Sequence, residues 1–243
     1  AVGGLGGSGT RLIASLMQDA GIFIGRDLNG SLDNLAFTFL LARPEYYFLP
    51  APELQQLFAI FVAAMNHPAQ LTPVQQAKVH HLVQHPHSLY SKHWSEARVH
   101  SLLHDNQPTA AQDQPWGWKE PNTHIFVNRL LPTCPCIKYI HVVRNGLDMA
   151  FSPNQNQLLT WGPYYLGRPP QSTPRDALTF WHYLHRRILA ACGPMAERFL
   201  WLDYDHFCRD ARPQLRKLLR FLEIDISAPQ FEQVPYVALS ILA

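Results

Sequence analysis

The sequence is poor in the residues and runs that mark several large classes of protein. Its 243 residues include only four cysteines, and 16% of them are charged. Four cysteines in a chain of this length do not make the framework of a disulfide-stapled domain. No window holds the roughly 18 apolar residues that a membrane span needs, and no signal peptide is recognisable. We therefore expect no membrane span and, because a reducing compartment is permitted, a cytoplasmic protein.

Strong charge and metal-ligand patterns are missing as well. The formal net charge is +2, which is too small for binding nucleic acid by bulk charge but leaves room for a local anion pocket. Cys134 and Cys136 have no second ligand pair at zinc spacing, so they are predicted to be ordinary thiols. The histidines between His67 and His104 follow no H-E-x-x-H pattern. We predict neither a metal ion nor a nucleic-acid partner.

The remaining composition, 47% hydrophobic residues, is sufficient for one domain with a sizeable core. Strands are predicted at 1–3, 22–24, 116–119, 139–143 and 199–202. The helices predicted between them include 10–20, which Gly21 should end, one that Asn122 should cap, 147–156 and 181–192. Residues 107–114 are predicted to form a polar linker. This alternation indicates an α/β fold with a central, mostly parallel sheet. Residues 35–115 have a helical apolar pattern broken by prolines, which predicts a helical insertion. Because the chain opens on what looks like the stub of a strand, we expect further residues upstream.

A glycine-rich segment carries the first functional signal. Five of the seven residues from Gly3 to Gly9 are glycine, and the segment lies between a predicted strand and a helix at 10–20. Such a loop directs backbone N–H groups and the positive end of a helix dipole at one point, where an anion can bind. The candidate anion-binding residues are Gly6, Gly7, Ser8, Gly9, Thr10 and Arg11.

Two known loop types compete for this segment. Gly4, Gly6 and Gly9 spell G-x-G-x-x-G, which would indicate a Rossmann-type NAD(P)-dependent oxidoreductase. The kinase-type P-loop fits less well, because Thr10 and Arg11 stand where its Lys and Ser/Thr should be. Losing that Lys and hydroxyl disfavours a magnesium-dependent NTPase.

A third loop type fits better. Ser8-Gly9-Thr10-Arg11 resembles the S-G-T-[TS] loop of sulfotransferases that use 3′-phosphoadenosine-5′-phosphosulfate (PAPS). Arg144, at the end of a predicted strand, and Ser152, eight residues on in a predicted helix, resemble that family's 3′-phosphate-binding pair. Tyr204 follows the last strand at the place where the family's tyrosine contacts the cofactor.

The resemblance covers about residues 1–25, 116–156 and 198–226. It implies a three-layer, P-loop-like fold and a single sulfotransferase domain over 1–243, with the insertion at 35–115 on the acceptor side. It also implies PAPS as co-substrate, 3′-phosphoadenosine 5′-phosphate (PAP) as product and a hydroxyl acceptor. Carbohydrate, tyrosyl, lipid and small-molecule acceptors all stay open.

The catalytic residues are less well defined. Lys119-Glu120-Pro121 resembles the family's K-[DE]-P segment, in which the lysine assists the leaving group. Gly7 stands where the family often has a cation, so Arg11 or Lys119 must supply that charge. Asp27 is the first candidate for the base that takes the acceptor's proton. Glu120 is an alternative, and Asp33 and His124 are the others.

Overall fold

The structure is a computed structural model that describes residues 1–66, 71–85, 87–104 and 114–224. Its contacts divide the chain into two compact units, one formed by Ala1–Ala20 with Pro121–Ala243 and the other by Gly21–Glu120. The tail that follows 224 and most of the predicted linker at 107–114 lie outside the described residues.

The first unit is built on a parallel sheet. Its strands are β1 (Val2–Gly4), β2 (Tyr139–Val143) and β3 (Phe199–Asp203), in the order β1-β2-β3. Gly4 pairs with Val142, and Val142 pairs with Leu202, so the carboxyl ends of the three strands lie at the same edge. All five residues of β2 are buried, which means that both faces of the sheet are covered. The predicted α/β class with a parallel sheet is confirmed.

Helices supply the covering layers. In chain order they are α1 (Thr10–Asp19), α2 (Leu35–Leu40), α3 (Ala51–Asn66), α4 (Pro73–Gln84), α5 (Lys92–His104), α6 (Thr123–Leu130), α7 (Gly146–Ala150), α8 (Asn156–Leu166), α9 (Pro174–Cys192), α10 (Tyr204–Arg209) and α11 (Ala211–Leu222). Across the described ranges, none of the helices is both long enough and apolar enough to span a bilayer.

Helix α1 follows the predicted pattern closely. Leu12, Ile13 and Leu16 recur at helical spacing and are all buried. Ala20 is the C-cap of the helix, and the next residue, Gly21, has a φ of +81°, the left-handed conformation that ends helices. The predicted glycine cap is therefore confirmed.

The second unit contains α2 to α5 around an aromatic cluster. Phe37 stacks on Trp118 at 5.5 Å between ring centroids, and Phe61 meets both rings edge-on at 5.2 Å. The strands predicted at 22–24 and 116–119 are wrong as regular strands. Phe23 and Trp116 form only an isolated parallel bridge. A short apolar run suits buried irregular chain as well as a strand, which is why these segments were mistaken for strands.

Two helix boundaries also differ from prediction. The helix expected over 147–156 stops at Ala150, because Pro153 prevents its continuation. The helix expected at Trp181 begins at Pro174 instead. There the Thr173 side chain accepts a hydrogen bond from the Asp176 backbone N–H, and proline is at the first helical position.

Three buried histidines cover one face of β2. The ring centroid of His141 lies 6.1 Å from that of His124 and 5.1 Å from that of His185. Each Nε2 atom is buried without a hydrogen-bond partner. Burial lowers the pKa of His124 to about 3 and that of His185 to about 4, and it holds the pKa of His141 well below its ordinary value. All three rings are therefore neutral at pH 7.

This neutrality predicts a loss of stability in acid. Below the ordinary pKa of 6.5, the unfolded chain binds protons that these rings cannot accept in the folded state, so stability falls from pH 6.5 toward pH 4. His185→Asn keeps a donor for the Trp181 carbonyl, which lies 2.6 Å from Nδ1, but does not titrate. Urea titrations at several pH values from 7 to 5 give the free energy of unfolding as a function of pH. Its slope should be smaller in His185→Asn than in the parent chain, by up to about 1.4 kcal/mol per pH unit.

His182, which is exposed on the same helix, supplies the matched control. His182→Asn should leave the pH dependence of the free energy of unfolding close to that of the parent chain. An equal reduction in both variants would contradict the assignment of acid sensitivity to the buried rings.

Candidate anion-binding site

The loop between β1 and α1 has the geometry of an anion cradle. The Ser8 N–H donates to the Leu5 carbonyl at 3.0 Å, which closes the first turn of the loop. Gly7 and Gly9 have φ values of +93° and +94°, a conformation that favours glycine. Gly9 then stands at the N-cap of α1 without a capping side chain. The backbone N–H groups at the start of α1 are therefore left without a side-chain cap.

Several donors of this loop are unpaired. Within the described residues, the backbone N–H groups of Gly7, Gly9, Thr10 and Arg11 have no acceptor. The Ser8 hydroxyl is also buried without a partner. Buried polar groups are normally hydrogen-bonded, so a cluster of unpaired donors at a helix N-terminus fits a phosphate or sulfuryl group.

The Tyr204 ring packs directly against the glycine-rich loop at Gly9. A Cβ placed on Gly9 would lie 2.0 Å from Cδ2 of Tyr204, so the ring lies directly against the glycine backbone. Tyr204 is the first residue of α10, immediately after β3. Burial raises the pKa of its phenol to about 12, with a hydrogen bond to Cys208 as the second cause. The hydroxyl therefore remains protonated at pH 7 and can donate.

Arg144 lies next to the same loop, at the carboxyl end of β2. Its Nη1 donates to the Gly7 carbonyl at 3.3 Å, and its guanidinium lies 5.6 Å from the Tyr204 ring centroid. The side chain is 37% exposed and forms a long contact of 3.5 Å with Asp148. Its Nε atom is buried without a partner. The guanidinium therefore retains a donor for an anionic ligand.

Ser152 lies near Gly7, whose carbonyl accepts the hydrogen bond from Arg144. The prediction that Ser152 lies on a helix is wrong. This residue lies just beyond α7, and its hydroxyl accepts a hydrogen bond from the Asn154 N–H at 3.2 Å. Its Oγ is 3.8 Å from the position that a Cβ on Gly7 would take. The predicted loop residues, Arg144, Ser152 and Tyr204 are thus brought together in one unit.

Asp205 joins two of these segments. One of its carboxylate oxygens accepts a 2.7 Å hydrogen bond from the Asn145 N–H, directly after Arg144. Asn145 in turn caps α7 by accepting from Leu147 and Asp148. Asp203 caps α10 in the same manner by accepting from His206. These bonds hold the chain after β2 and the chain after β3 in fixed positions.

Sequence reasoning missed a chain of amides behind the loop. The Gly6 N–H donates to Oε1 of Gln157 at 3.0 Å. The Gln157 amide nitrogen and the Trp161 indole both donate to the Asn122 side-chain oxygen at 2.8 Å. Asn122 was predicted to cap α6, but its side chain makes no capping bond. No short sequence motif predicts these hydrogen bonds, because Gly6 and Gln157 are far apart in sequence.

Lys119 belongs to the second unit. Its Nζ is ion-paired with Asp33 and donates to the Ser31 carbonyl at 2.9 Å, and the side chain is only 2% exposed. A buried ammonium of this kind is held by its partner charge and by a backbone oxygen. Glu120, next in the chain, is buried as well.

The candidate bases differ in their surroundings. Asp27, in the second unit, is ion-paired through Oδ2 to Nε of Arg98 at 2.9 Å. Asp33 is the carboxylate that pairs with Lys119. His124 is fully buried, with its Nδ1 2.6 Å from the Pro121 carbonyl, so it offers no surface to an acceptor. Arg11 is exposed on the first turn of α1 and has no ion pair within the described residues.

Within the described ranges, no three or more His, Cys, Asp or Glu side chains lie together in a way that could hold a metal ion.

A parallel sheet with a glycine-rich loop after its first strand and an arginine after its second is an α/β arrangement that can hold a phosphorylated or sulfated ligand at its strand ends. The sulfotransferase family matches residues 1–228, and the chain belongs to this family of transferases. The resemblance stated from the sequence is confirmed. The alternative, an NAD(P)-dependent oxidoreductase, is not supported.

Two solved structures are similar to the chain. Sulfotransferase STF9 from Mycobacterium avium is 16% identical with a TM-score of 0.49, over 98% of this chain and 67% of that one. Sulfotransferase STF1 from Mycobacterium tuberculosis H37Rv is 16% identical with a TM-score of 0.42, over 96% of this chain and 69% of that one. No curated protein sequence matches the chain.

The contact between Gly9 and Tyr204 predicts an unequal pair of glycine variants. Gly9 and Gly21 both have positive φ, but a Cβ on Gly21 meets nothing within 4 Å. Gly21→Ala should therefore lower the free energy of unfolding by only about 1 kcal/mol, for backbone strain. Gly9→Ala should lower it by about 1–3 kcal/mol more, because the new methyl group overlaps the Tyr204 ring. Denaturant titration of both variants measures the difference.

Removing the ring separates the two causes. In a Tyr204→Ala background, the further effect of Gly9→Ala should fall to that of Gly21→Ala. If Gly9→Ala and Gly21→Ala were equally destabilising in the parent chain, the ring contact would not constrain the loop.

Proposed function

We propose that this sulfotransferase moves the sulfuryl group of PAPS to an acceptor hydroxyl. The observation that carries the proposal is the convergence of two separate anion-binding groups in one unit. The unpaired donors of the glycine loop form the first group, and Arg144 with Ser152 forms the second. A ligand with two phosphorylated ends suits such a pair better than a ligand with one.

The loop is suited to the 5′-phosphosulfate end. Its backbone N–H groups and the buried Ser8 hydroxyl can donate to the oxygens of a phosphate or sulfuryl group. A transferring sulfuryl group carries less negative charge than a phosphoryl group, so amides with one or two cations can stabilise it. Arg11, on the first turn of α1, is our candidate for a cation from this unit.

Arg144 and Ser152 are suited to the 3′-phosphate. The guanidinium offers a planar set of donors, and its buried Nε has no partner. The Tyr204 ring stabilises the guanidinium by a cation–π contact. Ser152 adds one hydroxyl near Gly7. The two groups together would distinguish PAPS from nucleotides that lack the 3′-phosphate.

The second unit supplies our candidates for the chemistry. We infer that Lys119 is the cation that assists the leaving group and that Asp33 holds its ammonium in place. Asp27 is the first candidate for the base, and to act it must share or leave its contact with Arg98. Glu120 is the alternative base. The helices of residues 35–115 are our candidates for acceptor binding.

The direct test is transfer of radiolabelled sulfate from PAPS to a panel of carbohydrate, tyrosyl-peptide, lipid and phenolic hydroxyls. PAP should raise the melting temperature at a concentration at which NADPH and ATP–magnesium do not, because it binds only the folded state. Absence of transfer to every acceptor, together with absence of a PAP-specific shift, would overturn the proposal.

The role of Arg144 predicts a change in nucleotide discrimination. Arg144→Ala should weaken PAPS binding by about 2–4 kcal/mol, because it removes a charge-assisted contact. Ser152→Ala should weaken it by about 1 kcal/mol, as expected for a single hydroxyl hydrogen bond. Binding of adenosine 5′-phosphosulfate, which has no 3′-phosphate, should barely change. Calorimetric titration of both nucleotides gives the ratio, from which general losses of folding cancel.

Two further variants sharpen this measurement. Arg216→Ala removes an equal charge from the exposed face of α11 and should leave both affinities unchanged. Arg144→Lys should restore only part of the discrimination, since an ammonium lacks the planar fork. Equal weakening of both nucleotides by Arg144→Ala would show that this residue does not contact the 3′-phosphate.

A further inference from the structure

The turn that precedes β2 brings two thiols together. Residues Cys134 to Ile137 form a tight turn in which the Ile137 N–H donates to the Cys134 carbonyl at 3.2 Å. Pro135 occupies the second position, where its fixed φ favours such a turn. The two sulfur atoms, Cys134 Sγ and Cys136 Sγ, lie 3.0 Å apart. A disulfide has an S–S distance of about 2.05 Å, so about 1 Å of movement joins them.

Arg198 holds this turn in place. Its Nη1 donates to the carbonyls of Leu131, Cys134 and Pro135 at 3.0, 3.3 and 3.2 Å. Two of these acceptors belong to the turn and the third, Leu131, lies just before it, so one guanidinium restricts the backbone that carries both thiols. Much of the conformational entropy that forming a disulfide between the two cysteines would cost has therefore been lost already when the chain folds.

The two thiols differ in access. Cys136 is exposed, whereas Cys134 is partly buried. Burial raises the pKa of the Cys134 thiol to about 11, and the adjacent Cys136 adds to the rise. Cys134 is thus a protonated neighbour at pH 7, and an external reagent meets Cys136 first.

We propose that Cys134 and Cys136 form a reversible dithiol–disulfide site that is oxidised by small disulfides of the glutathione type. The Cys136 thiolate attacks the small disulfide, which forms a mixed disulfide and releases one thiol. The Cys134 sulfur then attacks Cys136 Sγ and releases the second thiol. The cysteine pair loses two electrons and two protons, and the small disulfide receives both. This site does not depend on the proposed sulfuryl transfer.

The small ring determines how readily the bond is reduced. One residue separates the cysteines, and strained or exposed disulfides have higher reduction potentials than structural ones. The oxidised form should consequently be the minor one in an excess of glutathione and the major one in an excess of glutathione disulfide. Such a couple responds to the redox state of its surroundings.

The full chain incubated with glutathione disulfide, then acid-quenched and analysed by peptide mass spectrometry, tests the proposal. The peptide that contains Cys134 and Cys136 should lose about two mass units and carry no glutathione. Cys208, which is exposed and has no neighbouring thiol within the described residues, should instead gain about 305 mass units as a mixed disulfide. Buried Cys192 should remain unmodified.

Single variants identify the order of attack. In Cys134→Ser, the glutathione adduct on Cys136 should persist at least about a hundredfold longer than in the parent chain, because no resolving thiol is near. Cys208→Ser should leave the internal disulfide unchanged. If the parent chain keeps a stable adduct on Cys136, or if both thiols stay unmodified while Cys208 reacts, the proposal is overturned.

Discussion

The contact between the Tyr204 ring and the Gly9 backbone is the constraint on which the site depends. The strands β1, β2 and β3 are parallel and end at one edge, so the residues that follow each strand meet there. The glycine loop follows β1, Arg144 follows β2 and Tyr204 follows β3. Arg144 lies over the Tyr204 ring and bonds to the Gly7 carbonyl, so one cluster links all three strand ends.

The folded chain carries unsatisfied donors at this cluster. Each buried donor without a partner destabilises a fold by about 1–3 kcal/mol, and the Ser8 hydroxyl and Nε of Arg144 are of this kind. Hydrogen bonds from Gly6 to Gln157 and from Gln157 to Asn122 tie the loop to α8, and the bond between Asp205 and Asn145 ties the chain after β2 to the chain after β3. An anionic ligand of the kind proposed above would pair with these donors.

Much of this unit was predictable from local patterns. The run at 139–143 is rich in apolar and β-branched residues, and it was correctly predicted to form a strand. Glycines exclude helix and strand from the segment between β1 and α1, and the loop there was also predicted correctly. Ser152 was predicted to lie on a helix but lies just beyond α7, because Pro153 outweighs the apolar pattern beyond it. The strands expected at 22–24 and 116–119 were wrong because short apolar runs do not distinguish a strand from buried irregular chain.

The sequence by itself determined the α/β class, the glycine-rich loop and the places of Arg144 and Ser152 after β2, since each depends on patterns within short stretches of chain. Only the tertiary structure decided that Gln157 holds Gly6, that Lys119 pairs with Asp33 and that three histidines share one face of the sheet. Gly6 and Gln157 are 151 positions apart in sequence, and Lys119 and Asp33 are 86 positions apart. The histidines are up to 61 positions apart. Hydrophobic periodicity and glycine content are local signals, whereas such pairings are set by how elements pack.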